Sequence, residues 1–182
     1  MGWALLAALL AVGVYLAVVY NGLTRLRMLA RNAWSDIDVQ LKRRHDLVPT
    51  LVSSVKGHAG YEKSTLESVV EARNRALTAT GPAAAGTAEQ ALAVQVRQLF
   101  ALAEDYPDLR AGESFLALQR ALTEIEDHIQ NARRYYNAVV RDLNTRIEQF
   151  PSNLVAGPFG FRAEEFFGLA DDAEGAVPRV DV

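Results

Sequence analysis

The feature that most constrains this chain is an uncharged apolar run at its beginning, WALLAALLAVGVYLAVVY, which lies between Gly2 and Asn21. A helix of about 20 residues is roughly 30 Å long, which matches the hydrocarbon thickness of a bilayer. Trp3 and Tyr20 lie near the two ends of the run, where aromatic side chains favour the membrane interface. We predict a transmembrane anchor at residues 1–21.

A cleaved signal peptide is the competing interpretation of this run. Three observations disfavour it: no basic residue precedes the run, the run is long for a signal peptide, and the helical pattern continues through the region where cleavage would occur. We therefore expect the anchor to be retained.

Basic residues follow the apolar run and none precedes it. Residues 21–60 carry seven Lys or Arg and three Asp, a net charge of +4, whereas residues 61–150 carry −3 and residues 151–182 carry −4. The positive-inside rule therefore predicts a single-pass protein with its N-terminus outside and its body in the cytoplasm. The basic flank also suits anionic headgroups, so membrane lipid is a predicted partner.

Apolar residues recur in steps of three and four along most of the remaining chain, as amphipathic helices require. They predict a helix that leaves the membrane, two shorter helices, and a last helix from Phe115 to Phe150. No strand-like alternation competes with this pattern. The predicted fold class is all-α: a transmembrane helix followed, in residues 22–150, by an antiparallel, four-helix-type bundle with long helices and coiled-coil packing.

Two places weaken the first long helix. Pro49 lacks a backbone N–H and crowds the carbonyl of His45, so we predict either a kink there or a helix restart with Asp46 as its cap. Gly57 and Gly60 mark the second place, where the helix either passes through or turns.

Small residues separate the second and third predicted helices, in the segment TATGPAAAGTAE at residues 78–89. Thr87 followed by Gln90 matches a capping box, which predicts the start of the third helix. Pro107 and Gly112 are predicted to end it.

The composition changes after the last helix. Residues 150–167, FPSNLVAGPFGFRAEEFF, hold five phenylalanines among glycines and prolines. We expect these aromatic side chains to dock in a groove of the bundle, or against a partner or a neighbouring copy. The following residues, 169–182, are acidic and predicted to be mobile. Residues 151–182 thus read as an aromatic and then acidic tail.

A charged stretch interrupts the apolar stripe of the first long helix and is the candidate interaction surface. Asp38 and Asp46 lie four residues either side of Lys42, which allows a ladder of ion pairs. Arg44 and His45 stand where the stripe predicts apolar residues, and such breaks often mark function. A solvated helix face explains the charges equally well. Substitution of Arg44 or His45 is expected to leave the fold intact while disturbing assembly or partner binding. The candidate residues are Asp36, Asp38, Lys42, Arg43, Arg44, His45 and Asp46.

Catalytic and metal-binding patterns do not emerge from the sequence. Cysteine is absent, which excludes thiolate metal sites and a cysteine nucleophile. His45, His58 and His128 share no metal-binding spacing, and Glu124 with His128 fits a surface pair. We predict no enzymatic activity, no metal and no cofactor. The acidic body, which lacks a basic aromatic face, also predicts no nucleic-acid partner.

Four separated motifs resemble one known family. They are NAWSDIDVQLKRRHDLVPTLVSSVKG, which begins at Asn32, then LFALAEDYPDLRAGESFLALQ, ARRYYNAVVRDLN and FPSNLVA. In this order they resemble the LemA family of bacterial proteins. The resemblance implies an N-terminal anchor in the bacterial cytoplasmic (inner) membrane, followed by a compact helical bundle. It assigns no catalytic or ligand-binding residue.

These observations favour a membrane-anchored, non-enzymatic scaffold that forms homo-oligomers or recruits other membrane proteins at the cytoplasmic face. Ala4 with Ala8 and Ala7 with Ala11 form pairs of small residues that let neighbouring spans approach. The alternatives are a membrane-shaping or anionic-lipid-binding protein and an accessory subunit of a membrane enzyme. A pore is disfavoured because the single span has no polar face.

Overall fold

The computed structural model describes residues 2–57 and 63–168. Within these ranges the chain forms helices and turns and no strand, which confirms the all-helical prediction. The predictions for Gly60 and for the acidic residues 169–182 lie outside the described residues. The helices are α1 (Gly2–Lys56), α2 (Lys63–Thr78), α3 (Pro82–Ala103), α4 (Pro107–Arg110), α5 (Glu113–Glu148) and α6 (Asn153–Ala156).

The longest element, α1, is one continuous helix of 55 residues. At 1.5 Å per residue it is about 80 Å long. Its first third is apolar and exposed, and among the described helices α1 alone is long and apolar enough to cross a membrane. From Val19 onward, residues at helical spacing are buried against the rest of the protein. One helix therefore joins the exposed apolar part to the packed body without a linker.

The helix passes through Pro49 without a break and ends at Lys56, just before Gly57. The predicted restart with Asp46 as a helix cap is therefore wrong, because Asp46 lies exposed inside α1. Pro49 leaves the carbonyl of His45 without its usual helical partner, and this carbonyl accepts a hydrogen bond from Arg73 on α2 instead.

The third helix begins earlier than predicted, at Pro82. Gly81 precedes it with a φ of 83°, and Pro82 occupies its first turn. Glycine adopts positive φ at little cost, and a proline at the first position of a helix loses no hydrogen bond. Thr87 lies inside the helix, where its hydroxyl donates to the carbonyl of Ala83 at 3.2 Å. The predicted capping box of Thr87 and Gln90 is therefore wrong.

Three clusters of buried apolar side chains hold the helices together. The largest joins the end of α1 to α2, α3, α4 and the start of α5, and it includes Leu51 and Leu99. The second joins the middle of α1 to the middle of α5 and includes Ile37. The third joins Leu23 to Leu143 and α6. The clusters follow one another along α1 and in reverse order along α5. Most of α5 therefore lies beside α1.

The chain beyond α5 turns back onto the helices. Phe161 and Phe167 are buried, with 5% and 3% of their surface exposed, whereas Phe150 and Phe159 are exposed at 73% and 58%. The prediction that these aromatic side chains dock in a groove of the helices is therefore correct for Phe161 and Phe167. It is wrong for Phe150 and Phe159.

Candidate functional site

The structure divides the seven predicted interaction residues into two groups. Arg44 and His45 are buried, with 4% and 7% of their surface exposed. The side chains of these two residues therefore make contacts inside the molecule, and the expectation that their substitution leaves the fold intact disagrees with their burial. The other five residues are exposed on α1: Asp36, Asp38, Lys42, Arg43 and Asp46.

Arg44 joins acidic side chains from two other helices. Its Nη1 atom donates to Oε2 of Glu89 on α3 at 3.1 Å and to the carbonyl oxygen of Glu89 at 3.4 Å. Its Nη2 atom pairs with Oε2 of Glu126 on α5. Only 4% of the Glu89 side chain is exposed, so its charge needs a partner inside the protein. Arg44 supplies that partner and ties α1 to α3 and α5.

His45 completes the contacts of Glu89 and adds a fourth helix. Its Nε2 atom lies 2.6 Å from Oε1 of Glu89, so both carboxylate oxygens of Glu89 have partners. The backbone carbonyl of His45 accepts a hydrogen bond from Nε of Arg73 on α2 at 2.8 Å. In a regular helix this carbonyl would accept from residue 49, but Pro49 has no N–H to donate.

The buried network that Arg44, His45, Glu89, Glu126 and Arg73 form is suited to holding helices in register. Within the described residues, no group of three His, Cys, Asp or Glu side chains is placed to hold a metal ion. A buried polar network in which the members satisfy one another favours one arrangement of the helices over its alternatives. We refer to these five residues as the buried network.

A cleft between α3 and α5 gives the buried network its contact with solvent. It has a volume of about 140 Å³, and Glu126, Arg133 and Phe167 are among the residues that line it. The Glu126 side chain is 31% exposed there. Its other oxygen, Oε1, accepts from Nε2 of Gln130 at 2.8 Å. The network therefore contacts solvent at this cleft.

The exposed face of α1 carries charges of both signs. Asp38, Lys42 and Asp46 are four residues apart, yet no ion pair joins them in the part of the chain that the structure describes. Val39 lies among them with 48% of its surface exposed.

Two asparagines of α5 fix the extended chain that follows α6. Nδ2 of Asn144 donates to the carbonyl of Glu164, and Oδ1 of Asn144 accepts from the N–H of Glu164, both at 2.9 Å. Asn137, two turns away, makes the same pair with Phe167, at 3.4 Å and 2.9 Å. Each amide therefore pairs with one backbone residue much as a neighbouring strand would.

Other contacts lock the end of this extended segment. The Tyr136 hydroxyl donates to the carbonyl of Glu165 at 2.8 Å, and Nη2 of Arg133 donates to the carbonyl of Gly168 at 2.9 Å. Burial raises the pKa of Tyr136 to about 12, and two nearby glutamates add to the shift. Gly86 on α3 permits the close approach, because a Cβ atom there would lie 2.2 Å from the backbone nitrogen of Gly168.

The sequence interpretation missed Glu89, Glu126, Asn137 and Asn144. A signal for Glu89 is present, because it lies three residues before Leu92 in the apolar register of α3. The seven-residue spacing of Asn137 and Asn144 places both amides on one face of α5. Neither signal identifies the partner, since each partner lies in a distant part of the chain.

Comparison with known proteins gives a family and several distant relatives. Magnetosome protein MamQ 1 of Paramagnetospirillum magneticum is 25% identical over 159 residues, which cover 73% of this chain and 58% of the relative. Magnetosome protein MamQ of Magnetospirillum gryphiswaldense is 23% identical over 174 residues, 81% of this chain and 64% of the relative. This chain thus spans about three fifths of the length of these magnetosome relatives.

Protein LemA of Metamycoplasma hominis is 25% identical over 181 residues, which cover 96% of this chain and 79% of that protein. The model of the LemA family matches residues 33–182. This match includes α1 from Ala33 onward, the helices that pack on it, and the segment that the asparagines hold. The chain belongs to the LemA family.

Proposed function

We propose that this protein is a membrane-anchored, non-enzymatic scaffold that self-associates or recruits partner proteins at the membrane surface. The observation that carries the proposal is the continuity of α1, in which the exposed apolar part and the buried part are one helix. A continuous helix holds the body at a set distance and angle from the bilayer. A flexible linker would not do so.

The same proposal includes an antiparallel bundle of the four long helices as the rigid body of the scaffold. The order of the three apolar clusters along α1 and α5 supports this arrangement. The buried network supports it further, because its side chains come from α1, α2, α3 and α5.

We place the N-terminus outside and the body in the cytoplasm, at the bacterial inner membrane. Arg25, Arg27 and Arg31 follow the apolar run, while no charged side chain precedes it. The positive-inside rule favours this orientation. Protease added to intact spheroplasts should therefore leave the body undigested.

The proposed partner surface is the exposed face of α1 formed by Asp36, Asp38, Lys42, Arg43 and Asp46. Its mixed charge fits a second copy of the chain or another protein with complementary charges. Self-association within the bilayer is supported by the small residues of the span, among them the pair Ala4 and Ala8.

Crosslinking in native membranes tests the scaffold. A photo-reactive residue at Val39, inside the proposed surface, should give a discrete species of higher mass. The matched control is Val94 on α3, which is 37% exposed and lies outside the surface. Combining Asp38→Lys with Lys42→Glu should remove the Val39 product while circular dichroism shows an intact fold. The scaffold is refuted if Val39 yields no product and the detergent-solubilised protein is monomeric by light scattering.

A second candidate function is binding of anionic lipid, which the net charge of +4 in residues 21–60 favours. Arg25 and Arg31 are exposed beside the span. Patches of native membrane extracted with the full-length protein should then be enriched in anionic lipid over the bulk membrane. The variant with Arg25→Gln and Arg31→Gln should lose the enrichment. Equal lipid composition for both proteins excludes this function.

A further inference from the structure

The chain between α5 and the extended segment forms a compact turn at residues 149–161, which we name the hook. Its sequence, QFPSNLVAGPFGF, contains no charged side chain. The hook folds onto the end of the apolar run, where Val155 and Ala156 pack in one cluster with Val19 and Leu23. It therefore lies at the level where α1 leaves the predicted span.

The hook exposes large apolar side chains at this level. Phe150, Leu154 and Phe159 are 73%, 64% and 58% exposed. The ring of Phe159 meets the ring of Tyr20 edge-on, with centroids 5.2 Å apart. Exposed apolar side chains grouped in this way mark an interaction surface, and here the surface is continuous with the exposed apolar part of α1.

The hook also lines a cavity beside the end of the apolar run. Tyr15 and Val18 of α1 line this cavity of about 480 Å³ together with Phe150 and Pro151, and Asp142 and Arg146 of α5 line it as well. Tyr15 lies five residues before Tyr20, which is about 7 Å along a helix. The hook therefore lies beside the cytoplasmic-side end of the predicted span, within reach of the same lipid interface.

Most backbone N–H groups of the hook have a hydrogen-bond partner inside the protein. Each N–H from Asn153 to Phe161, apart from Pro158, which has none, donates to a carbonyl between residues 149 and 157. The Ser152 hydroxyl donates to the carbonyls of Arg146 and Gln149, at 2.6 Å and 2.8 Å. Lipid offers no partners for backbone polar groups, so internal satisfaction is what permits a turn to enter it.

Arginines surround the hook on the side of the body. A Cβ atom at Gly22 would lie 3.9 Å from Cζ of Arg146, which places this guanidinium beside the first turn of α1 beyond the span. The Arg27 guanidinium lies 4.7 Å from the centre of the Phe161 ring. Arg162 follows the hook directly and is exposed. Guanidinium groups at this height match lipid phosphates.

We propose that the hook inserts into the interface of the bilayer beside α1, with Phe150, Leu154 and Phe159 among the upper acyl chains and the arginines at the phosphates. This second membrane contact fixes the rotation of the body about α1, which a single span leaves free. The inference rests on the proposed anchoring by α1, and the test separates the two.

The test uses the absence of cysteine from the chain, which allows single nitroxide labels on the full-length protein. Leu154→Cys and Phe159→Cys report on the hook, Leu9→Cys on the span, and Val94→Cys, outside the proposed partner surface, on the body. The protein is reconstituted in vesicles of phosphatidylcholine and phosphatidylglycerol. Power-saturation electron paramagnetic resonance then compares accessibility to oxygen, which enters lipid, with accessibility to a water-soluble nickel complex.

Oxygen should dominate at Leu154→Cys, Phe159→Cys and Leu9→Cys, and nickel at Val94→Cys. Leu154 provides a readout that does not depend on the Tyr20 contact of Phe159. Nickel access at both hook labels, with oxygen access at Leu9→Cys, would show that the hook does not insert although α1 still anchors the protein. Nickel access at Leu9→Cys overturns both. Low access to both reagents at the hook indicates cover by protein and also overturns the inference.

Discussion

The Nε atom of Arg73 donates a hydrogen bond of 2.8 Å to the carbonyl oxygen of His45, in place of the N–H that Pro49 lacks. A proline inside a helix costs about 3 kcal/mol or more, in part because one carbonyl loses its partner. Arg73 offsets some of this cost from α2. The contact helps α1 to continue past Pro49 and to join the span to the body as one helix.

Arg73→Met should lower the free energy of unfolding by about 1–3 kcal/mol, because it leaves the His45 carbonyl without a donor. Pro49→Ala restores the backbone donor, so Arg73→Met should cost less in that background. Chemical denaturation of the detergent-solubilised full chain measures both values.

Arg75→Met is the matched control for Arg73. Arg75 pairs with Glu71 on the surface of α2, with 59% of its side chain exposed, and its loss should change stability by less than about 0.5 kcal/mol. If Arg73→Met lowered the free energy of unfolding equally with and without Pro49, Arg73 would not be replacing the N–H that Pro49 lacks.

Arg44→Met should destabilise the protein by about 3–5 kcal/mol, because it leaves the buried Glu89 charge without its main partner. The double variant with Arg44→Met and Glu89→Leu should cost less than the sum of the two single changes, since no lone charge stays at Glu89. A double-mutant cycle from unfolding curves gives the coupling free energy.

Glu124→Gln serves as the surface control for this cycle. Glu124 lies 3.6 Å from His128, with 75% of its side chain exposed, and its replacement should be nearly neutral. Strict additivity of the Arg44 and Glu89 changes would show that the two side chains do not stabilise one another.

Asn144→Ala and Asn137→Ala should each release part of the extended segment without unfolding the helices. Each removes a pair of hydrogen bonds, a net loss of about 1–3 kcal/mol. Hydrogen exchange should accelerate at the amides of Glu164 and Phe167, whose donors lose their partners. Asn74→Ala, at an exposed position of α2, should leave those rates unchanged. Unaltered exchange at both amides would show that the two asparagines do not hold the extended segment.

The burial of Tyr136 predicts a dependence of stability on pH in the alkaline range. The folded pKa of about 12 exceeds the ordinary value of 10.0, so the folded state holds this proton more tightly than the unfolded state. The resulting stabilisation is complete below pH 10 and is lost as pH rises to about 12. Between these values, the wild-type protein should lose about 1–2 kcal/mol more stability than Tyr136→Phe.

Unfolding curves at a series of alkaline pH values measure this difference. Tyr135→Phe is the control, because Tyr135 is 53% exposed on the same helix and its removal should leave the pH dependence unchanged. An identical decline for the wild-type protein and Tyr136→Phe would mean that burial does not raise the pKa of Tyr136.

The sequence alone determined the elements whose signals are local. The uncharged run before Asn21 and the steps of three and four along the last helix depend only on residues near one another in the chain. For this reason the predicted helix from Phe115 to Phe150 agrees closely with α5 at Glu113–Glu148. The motifs from Asn32 onward identified the family for the same reason.

Only the tertiary structure decided what the polar residues of the helices do. The acidic partners that allow Arg44 to be buried lie 45 and 82 residues further along the chain. Helical periodicity carries no information about such distant partners. The break in the apolar stripe was visible in the sequence, but a solvated face and an internal ion network produce the same break. The distinction depends on which helices pack side by side, since packing both removes water from Arg44 and supplies its carboxylates.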